Sequence, residues 1–338
     1  MQVLRQITLL NFMSGQELSP LINKPWEKLF LQPIVAKWCA SVWSRSHSSV
    51  KWKHSKGLWP YVTVARNSLS AISSVRVTPP NVNFNLTPIS SIPIPTAKTG
   101  HIILSGPSVN EIDYEKLHLP VLMGVNGAIA LCKNSPLNFT HYVITDRYFA
   151  RDRSQLVEEI VSRDLILFAS VYTLKSIAHY VDIREIKCKI VVIEEVDRPP
   201  YLPCPSVQQL QKKAREHPDF TIFDVDRCFG FSLNPALGLF SACTVAYVAL
   251  QLMAWFGMEN IYFHGLDMNN LNLIPRFYET KENMLRTRLH EHFPNIIRPC
   301  FKYASEHLRN KGINVYNLSI NSALDEDVFP KVDWRVLR

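Results

Sequence analysis

The chain has 338 residues, with 37 Lys plus Arg against 29 Asp plus Glu and 47% hydrophobic residues. That length and apolar content exclude a peptide, a disulfide-stapled miniprotein and a wholly disordered chain, and leave room for one large or two ordinary domains. The formal net charge of +8 is confined to one part: residues 1–97 hold 10 basic and 2 acidic side chains, whereas 98–338 hold 27 of each. Such an asymmetry points to an anionic partner for the N-terminal part alone.

The N-terminal MQVLRQITLLNFM carries one Arg and no small-residue cleavage site follows it, so it does not read as a signal peptide. Residues 1–76 form a basic aromatic region, expected to be helical. In it Trp26, Trp38, Trp43, Trp52 and Trp59 interleave with Lys28, Lys37, Arg45, Lys51, Lys53 and Lys56. Indoles at headgroup depth with cations meeting phosphates suit a lipid interface. A small helical core packed on the rest of the chain is the alternative, and nucleic-acid binding has no motif to support it. Residues 77–97 contain Pro79, Pro80, Pro88, Pro93 and Pro95 and read as an extended linker.

From residue 98 to 338 short apolar runs alternate with helical patterns. The runs at 101–106, 120–126, 141–146, 165–170, 189–195, 261–265 and 313–318 are rich in Val and Ile and unbroken, as buried parallel strands are. Helices are expected over 151–163, 171–184, 206–217, 241–256 and 281–311. The alternation predicts an α/β domain with a doubly wound, mostly parallel, Rossmann-like sheet. The run Ala236–Met258 is long enough to cross a bilayer, but it contains Gly238, Ser241, Thr244, Gln251 and Gly257. It therefore reads as a buried helix. The seven cysteines are irregularly spaced with no CxxC pair, which reads as reduced thiols in a cytoplasmic protein.

In an open parallel sheet ligands bind beyond the carboxyl ends of the strands. After the first run comes Ser105-Gly106-Pro107-Ser108, a turn where backbone can approach a phosphate or carboxylate closely. It is neither GxGxxG nor a Walker loop. After the second comes Asn126, and after the third Asp146, which can hold a ribose hydroxyl or pair with an Arg. Ser241 is expected to cap the long apolar helix, making a second anion site, opposite the strand that ends in His264-Gly265-Leu266-Asp267. Downstream, Arg276 can neutralise an anion, Tyr278 can donate to a leaving oxygen, and His290 or His292 can act as general base. The HxH pair has no third metal ligand placed by spacing.

Gly106-Pro107-Ser108 with Glu111-Ile112-Asp113 resembles the GPSxxEID stretch of the bacterial sialyltransferases of glycosyltransferase family 42. Ser241 with its apolar helix, the segment Ile261–Asp267, and Asn321-Ser322 are similar to further parts of that family. The same layout occurs in lipopolysaccharide-core proteins that add 3-deoxy-manno-octulosonic acid (Kdo) and, more distantly, in pterin-pyrophosphokinase-like domains. The resemblance covers roughly residues 100–330. It implies a CMP-activated ulosonic acid donor, with Gly106, Pro107 and Ser108 facing the nucleotide and Asn126 the cytidine or sugar. It further implies that Ser241 and Ala242 cap a phosphate or carboxylate through backbone amides, and that Gly265 and Asp267 line the nucleotide side. The chain departs from the family in three places. Gly238 stands near the family's Arg, Tyr278 is displaced from its Tyr positions, and the family's base maps to Asn295, three residues after His292.

The expectation is an inverting, metal-independent glycosyltransferase without a cofactor. It would move Kdo, or next sialic acid, from the CMP-sugar to lipopolysaccharide core. Catalysis would rest on His292 or His290 with Tyr278 and Arg276. The partners are a lipid A–core acceptor and an anionic membrane surface, not nucleic acid, and the place is the cytoplasmic face of the inner membrane. An ATP- and Mg²⁺-dependent pterin pyrophosphokinase-like enzyme, or a non-catalytic sugar-binding or assembly protein, are the alternatives.

Overall fold

The computed structural model describes residues 33–338 apart from 48, 270–272, 274 and 275, so the N-terminal apolar stretch and Trp26 lie outside the described residues. Contacts divide the chain into Met1–Trp38 and Cys39–Arg338. Helix α1 (Pro33–Ser46) runs across that division and is followed by a 3-10 helix, Val50–Gly57. Then come β1 (Val62–Arg66), β2 (Ile72–Val77) and β3 (Val82–Phe84), an antiparallel sheet in the order β1-β2-β3. Its burial alternates with period two, turning Val75, Val77, Val82 and Phe84 inward.

Two expectations for this region are corrected. The extension is not helical throughout, and of its described tryptophans Trp43, Trp52 and Trp59 turn wholly or partly inward while Trp38 is exposed. Trp43 is only 7% exposed; it stacks on His47 at 3.8 Å, donates from Nε1 to the Trp52 carbonyl at 3.2 Å and packs near Trp59. Burial of large indole rings gains more than their exposure, so Trp43, Trp52 and Trp59 form a small core. Nor is 77–97 an extended linker. It contains β3, Thr87 donates to the Ile190 carbonyl at 2.7 Å, Leu86 bridges Ile190 in parallel, and Ile92 joins the main core. The prolines that suggested a linker occupy the turn between β2 and β3 and the short connections after it.

The remaining elements are β4 (Thr99–Ile103), β5 (Leu122–Val125), β6 (His141–Ile144), α2 (Arg147–Asp152), α3 (Ser154–Val161), β7 (Ile166–Ala169), α4 (Val171–Tyr180), β8 (Lys189–Val192), α5 (Val207–Glu216), β9 (Phe220–Asp224), β10 (Phe229–Ser232), α6 (Val245–Trp255), β11 (Asn260–His264), α7 (Leu289–His292), α8 (Arg298–Arg309) and β12 (Asn314–Asn317). Seven strands form one parallel sheet in the order β12-β11-β4-β5-β6-β7-β8, while β9 and β10 pair separately as an antiparallel hairpin. The order reverses at β4: β5 to β8 follow on one side, β11 and β12 on the other. This is the switch point at which open α/β sheets hold ligands.

Helix α6 lies across β4, β5 and β6. Nearly every residue in it is buried, which marks a core helix, and at 11 residues it is far short of a bilayer. Among the described residues no helix is long and apolar enough to cross a membrane. The buried amide of Gln251 is fully used. Its Oε1 accepts from the Ser232 and Phe240 amides at 3.0 and 3.1 Å, and its Nε2 donates to the Phe240 and Tyr247 carbonyls at 2.7 and 3.0 Å. Gln251→Leu strands these backbone groups and is expected to cost at least about 3 kcal/mol. A denaturant titration reading under about 1 kcal/mol would show that water or a relaxed backbone replaces the amide.

Candidate active site

A cleft of about 770 Å³ runs along the carboxyl ends of the sheet. At the switch point, the Gly106 amide donates to the Gly265 carbonyl at 3.2 Å, joining the turns that follow β4 and β11. Asp267 secures this joint. One of its carboxylate oxygens accepts from the Ser108 amide at 2.9 Å, the other from the Ser108 hydroxyl, which also meets the Ser319 hydroxyl at 2.7 Å. Gly106 is required here because a Cβ would stand 2.4 Å from the Gly265 carbonyl oxygen.

Asn126 follows β5 with φ 47°, a left-handed conformation that Asn tolerates. Its carbonyl accepts from the Tyr142 hydroxyl at 2.6 Å, and the same hydroxyl accepts from the Ile129 amide at 2.8 Å. The turn is thus held from beneath while its side chain lines the cleft. The Asn126 Oδ1 is buried without a hydrogen-bond partner. Buried polar atoms are nearly always paired, so this one is an unsatisfied acceptor on a residue that lines the cleft.

The α6 end differs from expectation. Thr244, not Ser241, is the N-cap, its side chain accepting from the Ala246 amide at 3.4 Å. Ser241 lines the cleft and its carbonyl accepts from the Thr244 amide at 2.9 Å. Between them Ala242 (φ 43°) and Cys243 (φ 57°) are both left-handed. Among the described residues nothing engages the Ala242 and Cys243 amides. Consecutive free amides ahead of a helix are an anion-binding concavity. Of the two residues Cys243 lines the cleft, whereas Ala242 is buried and does not. Gly238 has φ 87° and ψ 159°, a region closed to side-chain-bearing residues, which explains why no Arg stands there. Arg198, whose Nε donates to Asp197 at 3.1 Å, lines the cleft.

Of the residues singled out from sequence, Gly106, Pro107, Asn126, Ser241, Gly265, Asp267, Arg276, Tyr278 and His292 all line this one cleft. Ser108, Ala242 and His290 do not. The Ser108 hydroxyl is drawn to the Asp267 carboxylate, because a charged acceptor outcompetes a neutral one. His290 lies 3.9 Å from Glu291 on the exposed side of α7. His264 does not face the cleft either. It is buried against His101 (3.2 Å), and burial holds His101 down to about 4 and His264 well below its ordinary value. Asp146 caps α2 by accepting from the Tyr148 amide at 2.8 Å.

The expected helix over 281–311 is divided. Residues Met284–Arg288 are a loop lining the cleft, α7 follows, and a π turn, Phe293–Ile297, precedes α8. Pro294 and Pro299 lack the donors a regular helix needs there. Arg276 reaches both carboxylate oxygens of Glu279 at 3.0 Å, and Arg153 reaches the same carboxylate at 3.0 Å. Two guanidinium groups on one fully buried carboxylate leave a net positive charge beside the cleft. Burial pushes the Tyr278 phenol up, keeping it protonated as a hydrogen-bond donor.

Glu195, just after β8, was not foreseen. A quarter of its side-chain surface is exposed, and the residue lines the cleft. Burial, aided by Asp197, pushes its carboxyl from the ordinary 4.5 up to about 7, against Arg198 at 4.0 Å. The raised value means that the folded chain holds this proton more tightly than the unfolded chain. Stability therefore falls as pH rises between about 4.5 and 7 and stays lower above. Glu195→Gln is expected to raise the melting temperature at pH 8 by several degrees, on the order of 2–3 kcal/mol, and to change nothing at pH 4. Equal effects at both pH values would contradict the burial argument.

A family model described as 3-deoxy-D-manno-octulosonic acid transferase WaaZ matches residues 92–335. A protein of Salmonella typhimurium described as a probable 3-deoxy-manno-octulosonic acid transferase is 25% identical over 256 residues, covering 70% of this chain and 87% of that protein. One of Escherichia coli K12 with the same description is 32% identical over 104 residues, 31% of this chain and 35% of that protein. The crystal structure of the sialyltransferase CST-II in complex with trisaccharide acceptor and CMP is similar over 69% of this chain and 86% of that one. Identity there is 17% and the TM-score 0.33, a level that says nothing about chemistry. With most of its length matched by the family model, the chain belongs to the 3-deoxy-D-manno-octulosonic acid transferase WaaZ family and is a glycosyltransferase of that family.

Proposed function

We propose that the chain transfers Kdo from its CMP-activated form to lipopolysaccharide core, with inversion and without a divalent metal; sialic acid is the second donor to consider. The observation that carries this reading is the cleft at the switch point, lined by Gly106, Gly265 and Asn126, where backbone can approach a nucleotide and the Asn126 amide oxygen has no partner. An acceptor with no partner calls for an N–H or O–H donor, such as a cytosine amino group or a sugar hydroxyl.

His292 takes the proton of the acceptor hydroxyl as its oxygen attacks the anomeric carbon, and the bond from that carbon to the phosphate oxygen breaks. CMP leaves with the electron pair. The anomeric carbon bears no hydrogen and sits beside a carboxylate, so the transition state is cation-like and charge builds on the leaving phosphate. The Tyr278 phenol, Arg276 and the Cys243 amide meet that charge. One phosphate group leaves, and these groups suffice for it. The acceptor is membrane-held, which places the enzyme at the cytoplasmic face of the inner membrane.

The test is incubation with CMP-Kdo and a lipopolysaccharide core acceptor, followed by mass spectrometry. The expected result is one added Kdo with CMP release, unchanged by EDTA. No CMP release from either CMP-Kdo or CMP-sialic acid removes the reading, and loss of activity in EDTA removes its metal-free part.

A further inference from the structure

We propose that the 3-10 helix Val50–Gly57 docks the enzyme on an anionic bilayer beside the β8 end of the cleft, which rests on the reading of the acceptor as membrane-held. The family match begins at residue 92, so this segment lies outside what the family shares. Residues 39–84 contain no Asp or Glu but hold Arg45, Lys51, Lys53, Lys56, Arg66 and Arg76. Among the described residues only Arg66 of these six has an ion-pair partner, Glu194 at 2.6 Å.

A 3-10 helix has three residues per turn, so side chains at i and i+3 stand one above another. Val50, Lys53 and Lys56 therefore share one face, and all three are exposed, Val50 by 72%. Trp52 and Ser55 share another face, which turns inward. Lys51 adds a further exposed cation. The outward stripe is thus apolar and cationic, its lysines without an ion pair among the described residues although Val50 borders a cavity shared with Asp197 and Asp226, and its natural complement is a surface of phosphate headgroups with acyl chains beneath.

The helix is fixed to the loop that follows β8 and to α4. The Cys204 amide donates to the Lys51 carbonyl at 3.0 Å, the Tyr201 amide to the Ser55 hydroxyl at 2.9 Å, and the Tyr172 hydroxyl to the His54 carbonyl at 2.7 Å. The loop carrying Tyr201 and Cys204 continues directly from Glu195 and Arg198, which line the cleft. Docking here holds the β8 end of the cleft at the bilayer surface, where a lipid-linked acceptor is presented. Each lysine near an anionic surface is worth about fivefold in partitioning (about 1 kcal/mol), so the attachment is reversible and peripheral.

The test is co-sedimentation of the full chain with phosphatidylcholine vesicles and with vesicles in which about a third of the lipid is phosphatidylglycerol. Binding is expected only to the anionic vesicles, lost at high salt, and weakened about 25-fold in a folded Lys53→Gln/Lys56→Gln variant with an unchanged melting temperature. Equal binding to neutral vesicles, wild-type binding by the variant, or a preference for single-stranded RNA over vesicles overturns the proposal. Transfer to a deacylated, water-soluble acceptor is measured in parallel on the same wild-type protein. Transfer without vesicle binding refutes the docking and leaves the transfer reading standing; vesicle binding without transfer does the reverse.

Discussion

Gly106→Ala is expected to abolish measurable CMP binding and to lower the melting temperature by several degrees. The added methyl would stand 2.4 Å from the Gly265 carbonyl oxygen and 2.5 Å from the Asp267 carboxylate. Neither neighbour is free to yield. Gly265 accepts from the Gly106 amide, and Asp267 is held by Ser108, so the two turns must move apart. Overpacking of this kind costs about 1–3 kcal/mol. The same movement displaces the floor of the donor site, and a shift of about 1 Å in a positioned reactant costs roughly a hundredfold in rate. Calorimetric titration with CMP and thermal melts of both proteins check this. Wild-type CMP affinity in the variant would show that the nucleotide does not rest on this turn.

His292→Asn is expected to lower kcat by about 10²–10⁴ while leaving CMP affinity unchanged, because a base acts on the acceptor's proton and not on the donor's nucleotide. His290→Asn, two residues earlier but on the exposed side of α7, is expected to behave as wild type. If His292→Asn retains full activity, the proton goes elsewhere. Glu195 is then the group to replace, since its carboxyl lines the same cleft and titrates near neutrality.

The parallel sheet was legible because its central strands β5, β6 and β7 are short, almost wholly buried, mostly apolar runs with little else they could become. The small sheets were not. β1 to β3 sit among Pro79, Pro80 and polar residues, where proline argued against pairing although the prolines only make the turn. β9 and β10 surround Asp224–Cys228 without any strong hydrophobic run on the β9 side. At the site, the turn glycines and Asn126 could be found from strand-end position alone. The cap could not: Ser241 and Thr244 are equally good capping residues, and two left-handed non-glycine residues between them decide which one caps. Glu195 carried no sequence signal, because an acid's pKa is set by what buries it. The lysines of the 3-10 helix and the tryptophans beside them share one stretch of sequence. Only the fold separates them, cations outward and indoles inward.

A crystal of the protein grown with CMP tests the central claim most directly. The account predicts the nucleotide across the carboxyl ends of β4 and β5, with a donor group of the cytidine or its sugar on the Asn126 amide oxygen and the phosphate on the Cys243 amide. Density for CMP outside this cleft, or a cleft still empty at saturating nucleotide, would contradict it.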